Sequence, residues 1–300
     1  NSLDSQNDEH LFKKYRIVGG DAVGINQYPW IVAMLEQSQE NYYDPVLDYR
    51  CTGTLIAPNV VISAAHCEGK VDYVQIGRYN LLELESSYET FKIKQSFMHP
   101  SNLVQGLQSL PLDIALYVLD GNSSAATIAL NRNFSLPYPD ETLAVIGYGK
   151  TNVSDKLFSP IPRQAEVQYI AISDCQSRYV NETIGISTIC ALGNGMDACE
   201  GDSGGPLIQK GYTIDGSTDI LMGTVSWGYI CASPFYPGVY ARISSGIEWI
   251  DDTVCNGLSP SSCTGGILMA TTLSSTANTP QDGRSAATPL TNKTEKGISE

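Results

Sequence analysis

Between Trp30 and about Ile243 the apolar residues come in short runs, each broken by turn residues. Trp30–Leu35, Val60–Ser63, Leu143–Gly147 and Ile220–Val225 are examples. Such runs, rich in β-branched residues and punctuated by Gly and Pro, predict an all-β sandwich or barrel. The chain has 300 residues, 27 Gly and 15 Pro, which suits one loop-rich β unit because such domains commonly exceed 200 residues. Two helices are expected. One is short, around Ser173–Tyr179. The other carries Ile243, Ile247, Ile250 and Val254 on one apolar stripe and should pack as a terminal helix on the sheet structure.

The net charge of −14 argues against a nucleic-acid surface, because phosphate binding needs clustered Lys and Arg. Eight cysteines include no CxxC pair, which argues against zinc and for disulfides formed in an oxidising compartment. The sequons at Asn122, Asn133, Asn152, Asn181 and Asn292 agree with secretion. No apolar run approaches the roughly 18 residues of a bilayer span. The chain starts at Asn1 without a signal peptide, as expected if one has been removed.

Residues 1–16 are polar, with Asp4, Asp8 and Glu9 followed by Lys13-Lys14-Tyr15-Arg16. They read as an exposed leader ending at a basic cleavage site. Residues 256–300 read as a Ser/Thr-rich tail. After Cys263 the composition turns to Ser, Thr, Ala and Gly, which cannot bury enough surface to offset ordering entropy, so disorder is expected. Its Ser, Thr and Pro also permit O-glycosylation.

Chemistry concentrates in Asp197-Ala198-Cys199-Glu200-Gly201-Asp202-Ser203-Gly204-Gly205-Pro206. A hydroxyl is a poor nucleophile until a base takes its proton, so Ser203 needs a partner. Upstream stand Ser63-Ala64-Ala65-His66-Cys67 and Leu112-Asp113-Ile114-Ala115-Leu116. The order His66, Asp113, Ser203 is one of the known orders of a nucleophile–base–orienter triad. With Arg16-Ile17-Val18-Gly19-Gly20, these motifs make residues 17 to about 255 resemble the trypsin/chymotrypsin family of serine endopeptidases.

The resemblance implies two six-stranded antiparallel β-barrels with a C-terminal helix. It implies Ser203 as nucleophile, His66 as base, Asp113 as its orienter, and the N–H groups of Gly201 and Ser203 as the oxyanion hole. Cleavage after Arg16 would free an α-amine on Ile17 that pairs with Asp202, so the 300-residue chain should be a zymogen. A free α-amine titrates near pH 8 and pairing raises that value, so activity should fall at alkaline pH. Asp197, with Gly228 and Gly238 on the walls, would form a pocket for Arg or Lys, while Ser226, Trp227 and Gly228 pair with the substrate backbone. The implied disulfides are Cys51–Cys67, Cys175–Cys190 and Cys199–Cys231. For Cys255 and Cys263, a local bridge and pairing with another chain both stay open. No cofactor is implied. Expected partners are protein or peptide substrates and protein protease inhibitors, for a monomer.

Some residues depart from the family pattern. The stretch Glu36–Arg50, with Tyr42, Tyr43 and Tyr49, is long and should lie near the leaving-group side of the cleft, although these tyrosines also read as loop packing. Ile230 should narrow the pocket rim, and Glu200 should add negative charge at its entrance. Arg78 replaces the first carboxylate of a calcium loop expected at Arg78–Glu89. Hard cations need oxygen ligands, so no metal is expected, although Glu83, Glu85 and Glu89 keep the question open. A binding or inhibitor protein that has lost catalysis is the alternative function, but such members usually lack a triad residue. A surface module displayed by the tail would leave the triad unexplained.

Overall fold

The computed structural model describes residues 20–37, 47–102, 112–152 and 154–259. The expectations for Arg16, Ile17, Tyr42, Tyr43, Cys263 and Asn292 lie outside these residues.

Six strands close into the first barrel: β2 (Ile31–Gln37), β3 (Leu47–Ala57), β4 (Val60–Ser63), β5 (Tyr73–Ile76), β6 (Glu89–Met98) and β7 (Ala115–Leu119). Their spatial order is β2-β3-β4-β7-β6-β5, and β5 returns antiparallel to β2. The second barrel uses β9 (Thr142–Gly147), β10 (Arg163–Ile170), β11 (Thr188–Leu192), β12 (Pro206–Gln209), β13 (Ile220–Trp227) and β14 (Gly238–Arg242). It runs β10-β11-β14-β13-β12-β9 and closes through β9–β10 pairing. Two short strands add to this barrel: β1 (Asp21–Ala22) on β10, and β8 (Ala129–Leu130) parallel to β13. Closure leaves no long unpaired edge, the usual aggregation risk of a β protein.

Each strand forms where side-chain pattern and closure agree. In β10, Ala165, Val167 and Tyr169 point inward while Glu166 and Gln168 stay in solvent, the alternation of a half-buried strand. Val60, Val61 and Ile62 in β4 are all fully buried, as expected of a β-branched run held between two strands. One core fills the first barrel around Trp30, Met34, Leu55 and Ile62 and continues across the seam to Ala144, Ile146, Ile208 and Leu221, while another fills the second barrel around Val145, Ile189, Leu207 and Tyr240.

Helix α1 (Ile172–Arg178) covers the expected short helix and is tied to β11 by Cys175–Cys190. Helix α2 (Ile243–Thr253) continues into a π-helical turn, Val254–Leu258. Ile243, Ile250 and Val254 of the expected stripe are fully buried, each side chain contributing about 2–3 kcal/mol of apolar burial. A bidentate Arg132–Asp251 pair fixes this helix, and Asn59 Nδ2 donates to the Leu258 carbonyl. The helical segment thus runs on to Leu258. No helix among the described residues is long and apolar enough to cross a membrane.

Candidate active site

The two barrels meet where β3 faces the loop before β12. Thr52 N–H donates to the Ser203 carbonyl (2.9 Å). His66 lies in a 3-10 turn, Ala65–Cys67, directly after β4, and Asp113 lies just before β7. Adjacent pairing of β4 with β7 brings these distant residues together. His66 Nδ1 is 2.8 Å from Asp113 Oδ2, and His66 N–H donates to Oδ1 (3.0 Å). Ser226 Oγ donates to Oδ2 at 2.5 Å. Burial raises the Asp113 carboxyl, but the His66 and Ser226 contacts outweigh it and hold it below the usual carboxylate range. Ser226, expected only to pair with substrate, thus also orients Asp113.

Ser203 comes from the other barrel and reaches the same place. Gly204 packs so closely that a Cβ there would meet Ser63 Oγ at 1.8 Å and Ala64 N at 2.7 Å. Cys67 Sγ, beside His66, lies 3.9 Å from the Ser203 carbonyl oxygen. The Cys51–Cys67 bridge ties the His66 turn to β3.

The chain around Ser203 is fixed carbonyl by carbonyl. Glu200 C=O accepts from Lys150 N–H (2.8 Å), and Asp202 C=O accepts from Gly205 N–H (2.7 Å). In a trans peptide the N–H points opposite its C=O. These contacts therefore turn the N–H groups of Gly201 and Ser203 away from the anchors, and neither donates to another described residue. Gly201 has φ +96°, and Phe158 would lie 2.6 Å from a Cβ there, so only glycine fits. Lys150 Nζ also pairs with Glu200 (2.5 Å). The charge expected at the pocket entrance is therefore compensated.

Asp202 is fully buried between Gly147 and Gly149. Its carboxylate accepts N–H bonds from Gly149 and Cys199 (both 2.8 Å), and no cation pairs with it among the described residues. Burial pushes it up to about 7.

Beside Ser203 opens a cavity of about 250 Å³, lined by Asp197, Val225, Gly228, Gly238 and Tyr240. Asp197 is 4% exposed, so it is no solvated surface acid. Burial first, then the Asp202 charge, raises it to about 7 against hydrogen bonds that include those from Ala198 N–H and Tyr240. A Cβ on Gly238 would sit 2.8 Å from Asp197 Oδ1 and cover it. Ile230 lines the rim but is 56% exposed. Cys199–Cys231 joins the Ser203 loop to the pocket wall. A second cavity of about 390 Å³ runs alongside, lined by His66, Met98, Asp113 and Trp227 among others.

A sequence model of the family described as Trypsin matches residues 17–250. The chain belongs to the trypsin family of serine proteases. It is 31% identical over 245 residues to a trypsin of Sus scrofa, covering 80% of this chain and 96% of that protein. Thrombin-like enzyme elegaxobin-1 of Protobothrops elegans is 31% identical over 239 residues, covering 78% and 94%. Trypsin delta of Drosophila melanogaster is 31% identical over 246 residues, covering 78% and 87%.

Three disulfides of the family pattern are present, and Cys255 is also disulfide-bonded. At the calcium loop the residues do not fit a metal. The Arg78 guanidinium donates to the carbonyls of Asn80, Leu81 and Glu83 and to Gln75, so the oxygens a cation would use already face one. Tyr49 lies on β3 rather than in a loop. It is 9% exposed, and its hydroxyl donates to the Gly201 carbonyl (2.5 Å).

Proposed function

We propose that this member of the trypsin family is a secreted, monomeric endopeptidase, made as a zymogen with residues 1–16 as propeptide, that cleaves after Arg or Lys. The observation that carries the reading is the hydrogen-bonded His66–Asp113–Ser226 set beside Ser203, next to a buried carboxylate at the base of a cavity.

Chemically, Ser203 Oγ attacks the scissile carbonyl while its proton passes to His66. The carbonyl π pair moves onto oxygen, where the free N–H groups of Gly201 and Ser203 receive the negative charge. Asp113 stays ionised and steadies the imidazolium. His66 then gives the proton to the leaving amine, an acyl-enzyme remains, and water repeats the sequence in reverse. Asp197 selects the cationic side chain, bidentately for Arg. Disulfides support an extracellular setting, as do the exposed sequons Asn122, Asn133, Asn152 and Asn181. Protein inhibitors would occupy the same cleft.

Zymogen control follows from Asp202. A buried carboxylate without a cation is costly, and a pair broken at such a site typically loses about 3–5 kcal/mol. An ammonium from Ile17 would restore that energy and stabilise the loop. An Arg16→Gln protein, uncut, is therefore expected to show peptidase activity about 10²–10⁴-fold below the cut protein. Full activity from uncut material would end the zymogen reading. Asp202 at about 7 binds its proton more tightly folded than unfolded, so the uncut chain should lose stability as pH rises from about 4 to 7. Asp197, also at about 7, gives both forms a slope of the same sign, so the cut chain should have the shallower one, as melting curves of both forms across this range would show.

Fluorophosphonate labelling of Ser203 after cleavage at Arg16 tests the enzyme reading, with a peptide-library digest for the basic preference. Uniform failure to label would favour the non-catalytic binding alternative.

A further inference from the structure

Five consecutive carbonyls surround the donor loop, and each is held. Cys199 C=O accepts from Asp202 N–H (2.9 Å), Glu200 from Lys150 N–H (2.8 Å), Asp202 from Gly205 N–H (2.7 Å) and Ser203 from Thr52 N–H (2.9 Å). All four use main-chain donors, which no substitution short of proline removes. Gly201 is the exception, because its carbonyl is held by a side chain, the hydroxyl of Tyr49 at 2.5 Å. The next nearest donor, Thr52 Oγ1, stands 3.4 Å away.

At φ +96° Gly201 has no side chain of its own to resist a change of its backbone angles, so its carbonyl needs an outside partner as well as the Asp202 N–H bond to Cys199. We propose that Tyr49 is a positioning residue for the oxyanion hole, its hydroxyl holding the carbonyl of the Gly201–Asp202 peptide, the unit that joins the two donor-bearing peptides Glu200–Gly201 and Asp202–Ser203 and so sets their relative orientation. This rests on the catalytic reading given above.

The surroundings of Tyr49 fit that task. Its ring is fixed by an edge contact with Phe158 (5.3 Å between centroids) and a tilted one with Tyr148 (5.6 Å). Thr52 Oγ1, 2.5 Å from the hydroxyl, can donate to it while the phenol proton goes to Gly201. Serial donors of this kind polarise one another. Burial and the nearby Asp202 charge raise the phenol well above its ordinary value, so it stays a donor at any working pH. Phe158 touches both Tyr49 and Gly201, closing off water that could replace the hydroxyl.

Tyr49→Phe removes one oxygen and keeps the ring packing. Wild type and variant, both cut after Arg16, are compared in three readings: peptide-amide hydrolysis, fluorophosphonate labelling rate and benzamidine inhibition. Amide hydrolysis and labelling need the oxyanion donors, whereas benzamidine fills only the Asp197 pocket. Expected is a drop of about tenfold in kcat and labelling rate, the worth of one hydrogen bond. KM and the benzamidine constant should stay within about twofold. An unchanged kcat, or an equal loss in all three readings, overturns the proposal. Should Tyr49→Phe fail to fold, Thr52→Val removes the donor to the Tyr49 hydroxyl and should lower kcat selectively, by less. Wild type that neither cleaves nor labels would instead overturn the protease reading itself.

Discussion

Ser203→Ala is expected to lower kcat toward peptide amides by about a millionfold while KM stays near the wild-type value. In serine hydrolases, loss of the nucleophile alone removes about this much, because base and orienter act only through it. What survives, about 10³–10⁴ over water, comes from binding and the oxyanion donors. The folded state should hardly notice the change. Ser203 is partly exposed, and the loop is held through its carbonyls, so stability should stay within about 0.5 kcal/mol. Titration of active sites must accompany the assay, since trace activator would mimic residual turnover. Activity above a hundredth of wild type in activator-free protein would mean that Ser203 is not the nucleophile.

The second large effect belongs to the pocket. Asp197→Asn should reduce kcat/KM for Arg and Lys peptides by about 10²–10⁴-fold, the 3–5 kcal/mol of a buried pair left with one partner. Peptides with a neutral residue at that position should change little. In the unsubstituted protein the same carboxylate sits at about 7 before any cation arrives. A proton and a substrate cation therefore compete for it. Benzamidine affinity should fall about tenfold per pH unit below that value and level off above it. Equal losses for basic and neutral peptides would mean that Asp197 supports the loop and does not read the substrate.

How much of this was legible beforehand depended on whether chemistry is local. The Ser203, His66 and Asp113 motifs stand out in the sequence, since each carries its constraint within a few residues, and the structure brings His66 and Asp113 within hydrogen-bond reach. Val60–Ser63 and the Ile243–Val254 stripe read from side-chain shape and spacing alone. Barrel closure did not, because nothing in Ile31–Gln37 announces pairing with Tyr73–Ile76; periodicity left sandwich and barrel open, and family resemblance decided.

Contacts spanning the chain were the least visible. Ser226 reaches Asp113 across 113 positions, and Tyr49 reaches Gly201 across 152. In sequence, Ser226 reads only as a partner of the substrate backbone, and Tyr49 as part of a long stretch near the cleft or as loop packing. Lys150 gave no hint that it would neutralise Glu200. Arg78 was half understood. Its charge argues against a calcium ligand, but that its guanidinium would gather three loop carbonyls needs coordinates.

Strand β3 has a consequence for how such a molecule wears out. Through Tyr49 and Thr52 one strand of the first barrel grips the loop of the second. Each barrel is a closed ring of its own strands, whereas side-chain packing and single bonds join the two across the seam, so warming is expected to loosen the seam before either ring. The machinery spans that seam, and turnover should fade while both rings remain whole.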